Sequence, residues 1–193
     1  MTHTEQLEQL VYDAYAAHYP GHDEWTDWLA AHHLPFVADK AVALARRFGA
    51  DPDLARAGAL VHDIADINMS RFADGHDEAS LTVGRDLMQQ AGFGAEDIAL
   101  VVDDAVRHHA CHGGRAPDSL EGKVLAAADA MAHLQTDFYI FATWFKGRSR
   151  TLEEAKSWTL KKLERDFHDK LQLAGLQDEL RVDYELIKAL FSR

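Results

Sequence analysis

Cysteine is nearly absent from this 193-residue chain, with Cys111 the only one. An intramolecular disulfide is therefore impossible, and a bound metal ion has to be held by nitrogen and oxygen donors, which excludes zinc-finger chemistry. Proline is scarce too, at four residues, and with 47% hydrophobic and 27% charged residues the chain is neither low-complexity nor disordered in bulk. No apolar run approaches the roughly 18 residues of a membrane span, and the opening MTHTEQLEQL lacks the basic-then-apolar pattern of a secretory leader. A cytoplasmic protein without a membrane partner is expected. Positive charge is in deficit. A formal net charge of −12 leaves no Lys/Arg excess to neutralise phosphates, which argues against a protein that coats long nucleic acid. Any phosphate-bearing substrate has to meet positive charge that is local. The chain also lacks a GxxxxGK[ST] phosphate loop, a GxGxxG turn and a serine nucleophile elbow, which disfavours nucleotide kinases and dinucleotide oxidoreductases.

Strand-like alternation is nearly missing. A period of 3.6 dominates, so the chain reads as all-α, one domain over residues 1–193. A first helix is expected from about Thr4 to Tyr19, with Leu7, Leu10, Val11 and Tyr15 on one face and an end at Pro20-Gly21. The short segment DEWTDWLAAHH follows; Pro35 then falls in the first turn of a helix that stops at Gly49, leaving His33 at its entrance. Asp51-Pro52 opens a helix with His62-Asp63 near its C-terminal part. Residues 66–75 form a loop or short turn, His76 begins a helix to Gly92, and another spans about Ala95 to His109. The run CHGGRAPDS is the clearest loop; after it Ser119 caps a helix expected to run from Leu120 towards Phe145. Beyond KGRSRT, two amphipathic helices, about Leu152 to Leu173 and Asp178 to Phe191, cover the bundle or offer a homodimer surface.

What is present, and unusual, is acid in apolar surroundings. His62-Asp63 lies in AGALVHDIA and Asp129 in VLAAADAMA. An ionised carboxylate is costly to bury without a counter-charge. Neither helix offers an obvious basic partner one turn away on the same face, since Lys123 lies six residues before Asp129. A divalent cation would supply the charge. His33, His62, Asp63 and Asp129 provide two imidazoles and two carboxylates, a set suited to Mn²⁺, Fe²⁺, Co²⁺, Ni²⁺ or Zn²⁺ and not distinguished here from Mg²⁺. Adjacent helical side chains point about 100° apart, so His62 and Asp63 flank one ion only if the chain distorts, or else bridge two. Asp63, with two oxygens, is the candidate bridge. His76 and the doublet His108-His109 are the candidates for a second metal position. His3, His18, His22, His32, His112, His133 and His168 show no ligand pattern, although His32 rivals His33. Trp25 and Trp28, three apart, read as a packing pair before a base-stacking one.

The order His33, His62-Asp63, Asp129, within the phrases GALVHDIAD and VLAAADAMAHL, resembles the HD domain of metal-dependent phosphohydrolases over about residues 31–133. The resemblance implies an all-α bundle in which His33, His62, Asp63 and Asp129 bind a first metal. The segment GHDEASLTVGRDLMQQAGF is similar to the two-metal members, implying His76 with His108 or His109 at a second ion. Where the HDIGK variant has Gly-Lys this chain has Ala65-Asp66, so a phosphate-contacting lysine is missing. The implied activity is hydrolysis of a small phosphate ester or nucleotide by a metal-activated water that Asp63 orients. Further cations would come from Arg71, Arg107, Lys123, Lys146, Arg148 or Arg150. Two alternatives stay open: an HD-type di-iron oxygenase, and a regulatory helical domain whose metal is structural.

Overall fold

Leu7, Val11 and Tyr15 recur every fourth residue and are all buried, which turns one stripe of helix α1 (His3–Ala16) inward. Its start is closed by a capping box: Glu5 N donates to Thr2 Oγ1 at 3.1 Å, and Thr2 N donates to the Glu5 carboxylate at 2.7 Å. The structure is a computed structural model that describes residues 1–17 and 22–193, so the expected helix end at Tyr19-Pro20-Gly21 lies outside the described residues. Among the described residues there is no strand, and the chain is all-α.

Helix α2 (Glu24–Trp28) does not stop before the next helix as the sequence suggests. It runs through a π turn, Leu29–His33, straight into α3 (Leu34–Phe48), with Leu34 N donating to Leu29 O. A π turn winds one extra residue into the helix and so resets which side chains face inward. Here it buries His33 together with the Val37, Ala38, Ala41 and Leu44 face of α3. Helix α3 ends at Gly49, whose φ of +84° is the left-handed conformation that glycine adopts without strain. Asp51 then caps α4 (Pro52–Val61), accepting from Asp53 N at 2.8 Å and Leu54 N at 3.1 Å.

Helix α4 is buried nearly all round because its residues are small, and it packs on α1, α3 and α7. The Asp66–Gly75 stretch, expected as a loop, opens with a short 3₁₀ turn, Ile64–Ile67, before α5 (His76–Gln90). Helix α6 (Ala95–Ile98) passes into a π segment, Ala99–Val106, whose inner face carries the strand-like pair Val101-Val102. Ser119 caps α7 (Leu120–Gln135), accepting from Gly122 N at 3.0 Å. The helix expected towards Phe145 is in fact two. Thr136 turns to extended backbone (φ −123°, ψ −177°) while its hydroxyl donates to Ala132 O at 2.6 Å, and α8 (Phe138–Gly147) starts afresh. Helix α9 (Leu152–Arg165) ends in a third π turn, Asp166–Lys170, and α10 (Leu176–Phe191) completes the chain. That π turn and α10 both pack on α7. One continuous apolar cluster runs from Leu7 to Phe191. No helix of the described residues is long and apolar enough to cross a membrane.

Helix α7 comes closest to its neighbours at Gly122. A Cβ there would overlap the Pro117 ring and approach Ala105 Cα to 3.1 Å. Neither a proline ring nor backbone yields readily. Gly122→Ala is expected to lower stability by about 1–3 kcal/mol through overpacking, against the roughly 1 kcal/mol gain of the same change in a free helix. A urea midpoint that rises would contradict this packing.

Candidate metal centre

Helix α4 ends at the residue before His62, and that ending brings the doublet together. His62 is still helical, whereas Asp63 departs to φ −127°, ψ 25°, swinging its carboxylate back beside the imidazole. His62 Nε2 lies 3.2 Å from Asp63 Oδ2. From the π turn ahead of α3 and from α7 come His33 and Asp129: His33 Nε2 is 3.4 Å from His62 Nε2 and 3.1 Å from Asp129 Oδ1, and His62 Nε2 is 3.9 Å from the same oxygen. His33, His62 and Asp129 thus bring donor atoms to one buried point that could hold a cation. A second group, His62, Asp63 and His109, adjoins it.

Hydrogen bonds fix how the imidazoles face. His62 Nδ1 donates to Ala59 O at 2.7 Å and His109 Nδ1 to Val106 O at 2.6 Å, which leaves both Nε2 lone pairs free on the neutral rings. Spending one ring nitrogen on a carbonyl so that the other can bind is how metal-ligating histidines are held. His33 Nδ1 and Asp129 Oδ1 are buried without a hydrogen bond. Burial lowers His33 and takes His109 down to about 4. In His62 the carboxylates of Asp63 and Asp129 outweigh the burial and raise it, drawing positive charge to Nε2. The residues therefore suit a divalent cation by donor chemistry. Both groups use His62, however, and its one free lone pair serves one ion at a time. A second ion would be left with Asp63 and His109.

Neither Asp129 nor Asp63 lacks a counter-charge, contrary to the sequence expectation. Asp129 does have partners: Lys170 from the third π turn is ion-paired with its Oδ2, and His133, one turn along α7, has Nε2 3.1 Å from Oδ1. Asp63 is ion-paired with Arg71, which with His62 outweighs burial and holds its carboxyl well below the usual carboxylate range. Burying these acids does not by itself demand a metal. The demand comes from lone pairs directed at one another.

Two candidate ligands lie elsewhere. His76 Nε2 bonds Asp66 Oδ1 at 2.9 Å, and Asp66 is also ion-paired with Arg71, so His76 belongs to a separate buried cluster. The departure at Ala65-Asp66 explains this, because Asp66 supplies an acid that captures the histidine. Of the doublet, His109 faces the centre, with its ring edge-on to His62 at 5.2 Å and its Nε2 3.9 Å from Asp63 Oδ1. His108, on the other side of the turn, lines a shallow surface pocket with Arg107 and Arg115. His32, the rival to His33, is exposed against Trp28.

A cavity of about 450 Å³ opens beside the centre, reaching His33, His62, Asp63, His109 and Asp129. Six Lys/Arg residues line it against four Asp/Glu, which makes it basic within an acidic chain. Arg71, Arg107 and Lys146 were legible as spare cations; Lys162, Arg165 and Lys170 were not. Lys123, Arg148 and Arg150 lie outside the lining. The signal for Lys170 existed in Leu163, Asp166, Phe167, Lys170 and Leu171, where charged residues sit on the buried stripe of an amphipathic helix. The signal for His133 was its i+4 spacing from Asp129. Trp25 also lines the cavity, packed against Phe72 and Phe145, while Trp28 stacks on Phe141 at 4.7 Å.

A family model described as HD domain matches residues 30–134, more than half of the chain. No curated protein matches, and no solved structure does.

His76 offers a pH test that separates its role from metal binding. Burial lowers it, but the bonds to Asp66 and Asp77 win and raise it from 6.5 to about 9. The folded chain then holds this proton more tightly than the unfolded one. Its stabilisation is complete below about pH 6.5 and is lost as pH rises through about 9. Melting temperatures measured across that window should fall more steeply for the natural chain than for His76→Gln, with metal content equal in both. A variant that loses its metal would return His76 to the ligand set.

Proposed function

Since the chain belongs to the HD-domain family, we propose that it is a metal-dependent phosphohydrolase acting on a small phosphate ester or nucleotide. The observation that carries this reading is unpartnered positive charge beside the metal-ligating cluster. Among the described residues no carboxylate lies within ion-pairing distance of Arg165 or Lys146, both of which line the cavity, and Arg165 Nε is buried without a hydrogen bond. Among these residues Arg165 meets only the neutral His112 ring at 3.4 Å and Lys146 only the Phe72 and Trp158 faces, and cations that no acid neutralises in a concave site suit an anionic ligand. They also stand in for the lysine missing at Asp66. The cavity volume, about 450 Å³, is in the range of small-molecule sites and favours such a substrate over a long nucleic acid.

His33, His62, Asp63 and Asp129 would hold one divalent cation, and Asp63 with His109 offer a place for another. Bound there, the cation supplies a water that ionises near neutral pH and neutralises charge on the phosphoryl oxygens. The chain's own groups do the rest. Asp63 Oδ2 is engaged by Arg71 and His62, so Oδ1 is the oxygen left to accept a hydrogen bond from the attacking water and orient it. Arg165 and Lys146 would bind the phosphoryl group and pull its charge towards the cluster. We take the protein to work in the cytoplasm, on a diffusible substrate.

The group His62, Asp63 and His109 is the one feature that favours the di-iron oxygenase instead, since it supplies donors for a second ion. The two readings part in assay. Phosphate release from a panel of nucleotides and simple esters with Mn²⁺, Co²⁺, Ni²⁺ or Mg²⁺ is expected, with none from His62→Ala. Oxygen uptake with Fe²⁺ in place of phosphate release would reverse the choice. Arg165→Met should raise KM by about tenfold to a hundredfold, the value of one charge-assisted contact, while metal content stays unchanged. An unaltered KM would remove Arg165 from the substrate site.

A further inference from the structure

His133 has so far been described only as a neighbour. It is 4% exposed and sits between two carboxylates, with Nδ1 2.9 Å from Asp166 Oδ2 and Nε2 3.1 Å from Asp129 Oδ1. A neutral imidazole has one N–H and can donate to only one of them. Asp166 has the stronger claim. It is wholly buried on the third π turn, where Tyr139 donates its hydroxyl at 2.6 Å and Lys162 Nζ stands 3.1 Å away, so the carboxylate cannot turn. With the proton on Nδ1, the Nε2 lone pair faces Asp129 Oδ1.

That oxygen is itself buried without a hydrogen bond. Two lone pairs at 3.1 Å repel each other unless they share a cation. Asp129 Oδ1 has three imidazole Nε2 atoms around it, those of His33 and His133 at 3.1 Å each and that of His62 at 3.9 Å. The His33 and His133 rings lie nearly parallel, their centroids 5.1 Å apart and their planes 9° from each other. Donors about 3 Å apart are what two ligands at right angles show when each is about 2.1 Å from one ion.

We propose that His133 is a further ligand of the cation held by His33, His62 and Asp129, and that Asp166 is the positioning residue that fixes its tautomer. This rests on the metal centre of the proposed function but not on its reaction. Three imidazoles and, with Asp63, two carboxylates make the donor set richer in nitrogen than the sequence reading allowed. Such a set selects Fe²⁺, Co²⁺, Ni²⁺ or Zn²⁺ over Mg²⁺, which prefers oxygen. It also ties ion binding to the C-terminal helices, because Asp166 lies beyond the matched residues 30–134.

The test uses the full chain and needs no substrate. In the ¹⁵N-labelled protein loaded with Zn²⁺, long-range ¹H–¹⁵N spectra should show His133 with Nδ1 protonated and Nε2 at a metal-bound shift. Titration with Co²⁺, followed by visible absorption, should give a Kd weakened by about tenfold to a hundredfold in Asp166→Asn, as for other partners of metal-bound histidines. His133→Ala should weaken it by at least as much and change the band intensities. A loaded chain in which His133 is an imidazolium protonated on both nitrogens would overturn the proposal and leave the metal centre standing. So would His133→Ala with natural Kd and spectrum. A natural chain that takes up no ion at all would remove both. Should His133→Ala fail to fold, the spectrum of the unsubstituted chain still decides.

Discussion

Asp129 carries its charge while almost fully buried, and the middle of the bundle is arranged around that one carboxylate. Its two oxygens are treated differently. Oδ2 is neutralised by Lys170, a cation brought from the far end of the chain. Oδ1 is left without a hydrogen bond among imidazole nitrogens. An ion pair alone would satisfy the electrostatics of burial, and a buried pair is weak reason to infer a ligand. What singles out this position is the other half, where the Nε2 atoms of His33, His62 and His133 converge on one carboxylate oxygen.

The convergence depends on three π turns. Each winds an extra residue into a helix and shifts its inward face, and each stands at a residue of the centre: Leu29–His33 delivers His33, Ala99–Val106 leads to His109, and Asp166–Lys170 delivers both Asp166 and Lys170. Regular helices through the same segments would turn these side chains away or force the apolar stripes outward. Such turns have poorer backbone bonding than an α-helix and recur at functional sites for this reason. The fourth distortion is simpler. Helix α4 ends at Val61, so that two consecutive residues, His62 and Asp63, reach one place.

The same economy explains the cavity. Arg71 spans Asp63 and Asp66, and Asp66 holds His76, so a lysine lost from the HD motif is replaced by an ion network that uses its position differently. The free cations, Arg165 and Lys146, come from α9 and α8, elements beyond the matched family region. A chain of net charge −12 can therefore present a basic interior, because carboxylates pair with some of its cations and leave Arg165 and Lys146 to uncharged partners.

The period of apolar residues was enough to establish the all-α class, most helix starts and the apolar surroundings of His62-Asp63 and Asp129, because burial of a helical stripe is a local property of spacing. Caps at Asp51 and Ser119 were legible for the same reason, each being set within three residues. The division of α7 from α8 was not, since Thr82 and Thr143 donate to the carbonyl four residues back just as Thr136 does, and their helices continue. Which histidines reach the centre was decided by the tertiary structure, with only the i+4 spacing of His133 from Asp129 visible beforehand. His109 rather than His108 and His76 withdrawn to Asp66 follow from how a π turn rotates its helix and from an acid supplied by another segment. Sequence spacing carries direction only while a helix keeps its regular winding, and in this protein the winding changes where the ligands are.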